Sequence, residues 1–227
     1  KTPHGDWTTP PQQFKFDGPP GSDGIFWGAF FVKDSGYAQN HYIYVYGYKD
    51  TRQDTKNLDK FYDTDLVVAR VTATTAEGFL NYANWQYWSN GAWVANPIAA
   101  TVIAKNVYDI SIVKNPNKAS SYVLTSPRNS DDTDNANVLI EFQESSSLTG
   151  PFVPASRFNL PTYTNEVGSN YWRYAIHAHA GLSSNEAPGS SDVPGLLIDY
   201  VRWPADSLDP TQYVPRFVNL PFSQVAP

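Results

Sequence analysis

The strongest constraint in this sequence is its punctuation. No apolar run lasts more than about ten residues before a cluster of Gly, Pro, Asn, Asp or Ser cuts it. The cutting clusters include "KDSGYAQN" (33–40), "KNPNKAS" (114–120), "RNSDDTDNAN" (128–137) and "SSNEAPGSSDVPG" (183–195). Such residues favour turns, each for its own backbone reason, and leave little room for helices. Between the cuts lie stretches rich in aromatic and β-branched residues with period-2 alternation, the pattern of half-buried strands. One short segment, "NLDKFYDTD" (57–65), has room for a helical turn.

The strand-like stretches fall into three groups. The first holds "IFWGAFFV" (25–32), "HYIYVYGY" (41–48), "DLVVARVTA" (65–73) and "NWQYWSNGAWV" (84–94). The second holds "YDISIVKN" (108–115), "SYVLTS" (121–126), "NVLIEFQES" (137–145) and "GPFVPASRF" (150–158). The third holds "YWRYAIHAHA" (171–180), "GLLIDYVRW" (195–203) and "TQYVPRFVNLPF" (211–222). Matching stretches recur roughly 65–80 residues apart, a period that suggests repeated sheet units. The expected fold is therefore all-β: a β-propeller whose blades are four-stranded antiparallel sheets, about three of them in this chain (25–94, 108–158 and 171–222). A sandwich of about eleven strands is the alternative. Residues 1–24 are Pro- and Gly-rich and are expected to form a connecting segment ahead of blades filling 25–227. Closed propellers take about four to eight blades, so three leave a gap. Another polypeptide is expected to complete the ring to five.

Composition narrows the function. The net charge is −6 over 227 residues, with no basic block of the kind that tracks nucleic acid. No run of about 18 apolar residues exists to cross a membrane as a helix. There is no Cys, hence no disulfide or thiol chemistry, and no Met even at position 1, which suggests a processed chain.

The order of five motifs carries a resemblance: "WGAFFV…YIYVYGY" from Trp27, "DLVVARV" from Asp65, "WQYWSNGAWV" from Trp85, "SLTGPF" from Ser147 and "YAIHAHAGL…GLLIDYV" from Tyr174. Together they resemble the C-terminal part of secreted five-bladed propeller proteins of the glycosidase type. These include families of unknown function related to the arabinanases and, more distantly, glycoside hydrolase family 43. The resemblance implies a secreted, carbohydrate-active protein that hydrolyses a polysaccharide and requires no cofactor. It also implies that a histidine near the axis orients the pocket or binds water and a cation. Nothing here corresponds to the catalytic carboxylates that the first blades of such enzymes supply. Two other functions stay open: a non-catalytic, lectin-like sugar-binding propeller, and a structural or partner-binding one.

Candidate site residues follow from where innermost strands would converge. Those strands are expected at 27–32, 109–113 and 174–180, offering Trp27, Asp109, Ser111, His177 and His179. Asp109 precedes "ISIV" at a strand start, where a carboxylate can point into a pocket. Glu141 alternates with Ile140 and Phe142, which places it on the opposite and wetter face. Either carboxylate is a candidate general acid or base. His177 and His179 share one strand face with only alanines beside them, room enough for a ligand. His177 is a candidate substrate contact and His179 a candidate orienting group or metal ligand. Trp27, Trp85 and Trp88 are candidate sugar platforms, although large aromatics equally suit packing between blades. The same packing is expected of the stripe Tyr42, Tyr44 and Tyr46. Arg70 is expected in a structural pair. The loop "NSDDTDNAN" (129–137) is a candidate Ca²⁺ site, without the Gly and the terminal Glu of an EF-hand loop.

Overall fold

The computed structural model describes residues 19–21, 24–50, 64–118, 120–129, 138–160, 171–179, 195–204 and 214–225. Within them the fold is all-β. Three sheets follow one another along the chain, and every neighbouring pair of strands is antiparallel. The first sheet comprises β1 (Ile25–Lys33), β2 (Tyr42–Asp50), β3 (Thr64–Thr72), β4 (Trp85–Ser89) and β5 (Ala92–Val94). The second comprises β6 (Ser111–Lys114), β7 (Tyr122–Asn129), β8 (Val138–Ser145) and β9 (Val153–Asn159). The third comprises β10 (Tyr171–His179), β11 (Gly195–Pro204) and β12 (Val214–Pro221). Each is a meander in chain order. Among the described residues helix is confined to short turns: α1 (Tyr37–Asn40), α2 (Ala76–Leu80) and α3 (Phe222–Val225), with 3-10 turns at Tyr82–Asn84 and Pro97–Ala99. Residues 1–18 of the expected connecting segment, 57–63 of the suggested helical turn and 130–137 of the suggested Ca²⁺ loop lie outside the described residues.

Among the described residues the sheets have five, four and three strands, against the four expected of each. The extra strand in the first comes from a turn. Asn90 and Gly91 have φ of 47° and 90° and fold "NWQYWSNGAWV" back on itself, pairing Ser89 with Ala92 and Trp88 with Trp93. Two successive residues of positive φ are what a tight two-residue hairpin requires, and Asn-Gly is its preferred sequence.

Alternation along the strands decides the packing. Tyr44, Tyr46 and Tyr48 all leave β2 toward the second sheet, joining Leu66, Val68, Ile110, Ile112, Leu124 and Phe152 in one apolar layer. Fully buried Tyr46 donates its hydroxyl to Leu148 O at 2.9 Å, as a buried phenol must find a partner. Burial pushes the Tyr46 phenol well above its ordinary pKa. The other face of the second sheet meets the third: Val123, Ile140 and Phe142 pack with Ile176, Ile198, Tyr200 and Leu220. The second sheet is thus covered on both faces, which a two-layer sandwich does not do.

The first strand of each sheet lies next to that of the following one, β1 by β6 and β6 by β10. Two of these first strands are bulged. In β1 the pairing jumps from Trp27–Gly47 to Phe30–Tyr46, and in β10 from Tyr174–Val201 to His177–Asp199. Bulges of this kind bend a strand and re-aim its side chains.

Candidate functional site

The junction of β6 and β10 is held by side chains rather than by a strand ladder. Asp109 Oδ2 accepts the Ile176 N–H at 3.0 Å, and Ser111 Oγ accepts the Ala178 N–H at 2.8 Å. Two residues at the entry to β6, spaced two apart, thereby satisfy amides two apart on β10. With the Ile176 and Ala178 side chains packed in the core against the second sheet, period 2 sends the side chains of His177 and His179 to the face away from it.

On that face four ionisable groups form a chain. His177 Nε2 is 3.8 Å from Asp109 Oδ1, and His177 Nδ1 is 3.8 Å from Asp199 Oδ1. His179 Nε2 is 2.7 Å from the same Asp199 oxygen. Because a carboxylate only accepts, the Asp199 contact fixes the proton of neutral His179 on Nε2 and leaves Nδ1 as the ring's acceptor. The His177 and His179 side chains remain 44% and 39% exposed, so water and solutes reach both rings. The arrangement can hold and move protons: one imidazole between two carboxylates, and a second imidazole oriented by one of them.

Asp109 is positioned from behind. Its φ of 46° is left-handed, a conformation that Asp tolerates better than most residues. The Tyr48 phenol oxygen, reaching across from β2, accepts the N–H of Ile110, the residue after Asp109, at 3.0 Å. Burial pushes the Tyr48 phenol far above its ordinary value, so it stays neutral while it clamps this turn.

The structure brings together Asp109, His177 and His179, with Ser111 beneath them. It does not bring Glu141 to them. Glu141 lies on β8, only 2% exposed, with Arg157 Nε and Gln143 Nε2 each 3.0 Å from its oxygens. The expectation of a wetter face fails because the second sheet is buried on both sides. Trp27 and Trp85 are also core residues, at 7% and 2% exposure. They pack edge-on at 6.1 Å with Tyr87 beside them, and Trp85 Nε1 donates to Phe79 O. Neither presents an open ring face to a sugar. Trp88 is half-buried on the opposite face of the sheet, packed on Trp93. Arg70 holds Gln86 and lies 4.3 Å from the ring centres of Tyr42 and Trp93, a structural cation–π sandwich.

Sequence reasoning missed Asp199 and Tyr48. Asp199 had a signal: a carboxylate between Ile198 and Tyr200 in an apolar strand, its register set opposite the histidine strand. Tyr48 had none beyond its place in the tyrosine stripe. As for metal, among the described residues no three His, Asp or Glu side chains are placed to hold an ion together. His179, the candidate metal ligand, has its Nε2 engaged by Asp199.

Residues 13–188 match the family model described as a domain of unknown function, DUF5005, and the chain belongs to that family. No curated protein matches it.

Proposed function

We propose, from the motif resemblance in the sequence and this geometry, that the chain is part of a secreted, carbohydrate-active β-propeller of the glycoside-hydrolase type, acting on a polysaccharide. Its three sheets are the blades, and another polypeptide supplies those that complete a ring of five. One observation carries the chemical part. Asp109 and Asp199 stand on either side of His177, and the two contacts plus one ring width keep the carboxylates within about 10 Å of each other. Glycoside hydrolysis asks for two carboxyl groups about 5–9.5 Å apart, one as acid and one as base or nucleophile. In this scheme Asp109 and Asp199 are that pair. His177 sets their charge balance, and His179 orients Asp199. Glu141 and the three tryptophans take no part in the chemistry.

The propeller reading draws support from the order of the sheets. Each packs on the next, and their first strands adjoin. It also draws support from β12, where Phe217 is 60% exposed on the outward face of the third sheet, in the same row as His177 and Asp199. A further blade seated there would cover Phe217 on the outer strand and leave the histidines of the inner strand at the axis.

The test is release of reducing ends from a panel of plant, fungal and bacterial polysaccharides by the full chain, beside Asp109→Asn. The expected result is release by the parent from at least one polymer and a loss of about a hundredfold or more in the variant. Binding without release would move the protein to the lectin-like class. Neither binding nor release would overturn the proposal.

A further inference from the structure

The most exposed large apolar side chain among the described residues is Phe26, at 66%. It lies on β1, where it pairs with Tyr48 of β2. Directly paired residues of antiparallel strands present their side chains on one face, with Cβ atoms about 4.5–5.5 Å apart. Tyr48 identifies that face: it packs into the layer between the first two sheets and accepts the Ile110 N–H at 3.0 Å. Phe26 therefore stands beside the Tyr48 ring on the side of the second sheet. β1 is also the end strand of its sheet and adjoins β6.

These contacts place the first strands of all three sheets at one level. Phe26 faces Tyr48, and Tyr48 holds the residue after Asp109. Asp109 in turn accepts the Ile176 N–H and lies 3.8 Å from His177. Asp109 is thus flanked by an imidazole on the β10 side and by an open phenyl ring on the β1 side. Lone exposed apolar residues are common and mean little by themselves; this one stands beside the candidate carboxylate. Phe31, the other exposed phenylalanine of β1, differs. It pairs with Val45 on the opposite face, and its ring meets Phe79 at 5.8 Å.

We infer that Phe26 is the platform on which one unit of a neutral glycan stacks while the neighbouring glycosidic bond lies at Asp109 and Asp199. The inference rests on the hydrolytic reading of that site and adds its substrate class. The C–H face of a sugar ring suits a phenyl face, and a phenyl has no polar handle, so hydroxyl recognition falls to the ionisable groups beside it. Charge selects against uronic acids. The chain carries −6 overall, and Asp109 and Asp199 would meet a sugar carboxylate with like charge.

The experiment is ¹⁹F NMR of the full chain labelled with 4-fluorophenylalanine, the Phe26 signal being the one missing from Phe26→Leu. The probes are arabinotriose, xylotriose, galactotriose and cellotriose, with trigalacturonate as the charged control. At least one neutral probe should move the Phe26 signal saturably, and trigalacturonate should leave it in place. By calorimetry Phe26→Leu should bind that probe about tenfold more weakly with its thermal midpoint held, whereas Phe26→Trp should keep the affinity. Reducing-end release, measured on the same preparations, separates the two readings. A saturable shift without release keeps the platform and removes hydrolysis. A Phe26 signal unmoved by all four neutral probes at tens of millimolar overturns the inference, whether or not reducing ends are released. So does Phe26→Leu binding as tightly as the parent, or an equal shift from trigalacturonate.

Discussion

The outward faces of the first and third sheets are made by the same alternation and put to opposite ends. On the first sheet, Val45, Val67 and Ala69 are fully buried, with Trp27, Trp85 and Tyr87 packed over them and Phe79 and Tyr82 against Trp85. On the third sheet, the matching face carries His177, Asp199 and Phe217 in one row, with His179 in the next, and much of it is open to water. A sheet face spends its positions either on apolar area, which stabilises, or on ionisable groups, which stay partly hydrated. The first face holds the fold; the third is where the proposed chemistry and the proposed further blade are placed.

The comparison is sharpest in large truncations. Trp85→Ala removes a fully packed indole and should cost about 3–5 kcal/mol, read as a drop in the urea midpoint. A loss below about 1 kcal/mol would mean that the first face is not the keystone it looks. Next come two glycines. A Cβ at Gly47 would sit 2.8 Å from the Trp27 ring, which is itself packed in, so Gly47→Ala should cost about 1–3 kcal/mol. A Cβ at Gly195 meets only the side-chain end of Asn219, which is exposed and free to swing away. Gly195→Ala should therefore be milder, within about 1 kcal/mol. Equal losses in the two would erase the contrast.

Alkali probes the layer between the first two sheets. Burial raises the Tyr46 and Tyr48 phenols above their ordinary value of 10.0. The folded state then holds those protons more tightly than the unfolded chain. The resulting stability is complete below about pH 10 and is lost as pH rises from there toward the folded values. Urea midpoints should be level from neutral to pH 9 and fall above 10. Tyr46→Phe should lose about 1 kcal/mol at neutral pH, through the bond to Leu148, yet fall less steeply in alkali. The smallest effect belongs to Phe217→Ala, which should change the stability of the chain alone by no more than about 0.5 kcal/mol and weaken only the seating of a further blade.

Much of this was legible in the chain. Period 2 set the tyrosine stripe against one layer and His177 with His179 on one face, and short runs between turn clusters announced antiparallel strands. Alternation gives two faces but not what covers them. That is why Glu141 was assigned to a wet face when both faces of its sheet are buried. It is also why Trp27 and Trp85, core residues, could pass for sugar platforms. The Asn90–Gly91 pair is a hairpin signal that lies inside a longer apolar stretch, where alternation alone reads straight through it. Asp199 escaped because its meaning lies across the strand pair, in the register that sets it opposite His177. The bulges in β1 and β10 shift the pairing register between strands, which single-strand patterns do not encode.

The contrast between the two faces is tested most directly by one paired measurement on Asp199→Asn and Trp85→Phe: the rate of reducing-end release and the thermal midpoint, in the same preparations. Asp199→Asn should lose about a hundredfold or more in rate with its midpoint held within a few degrees, whereas Trp85→Phe should lose stability and keep its rate per folded molecule. An Asp199→Asn protein that hydrolyses as fast as the parent, or a Trp85→Phe protein that is fully stable but inactive, would contradict the assignment of function to the third sheet and architecture to the first.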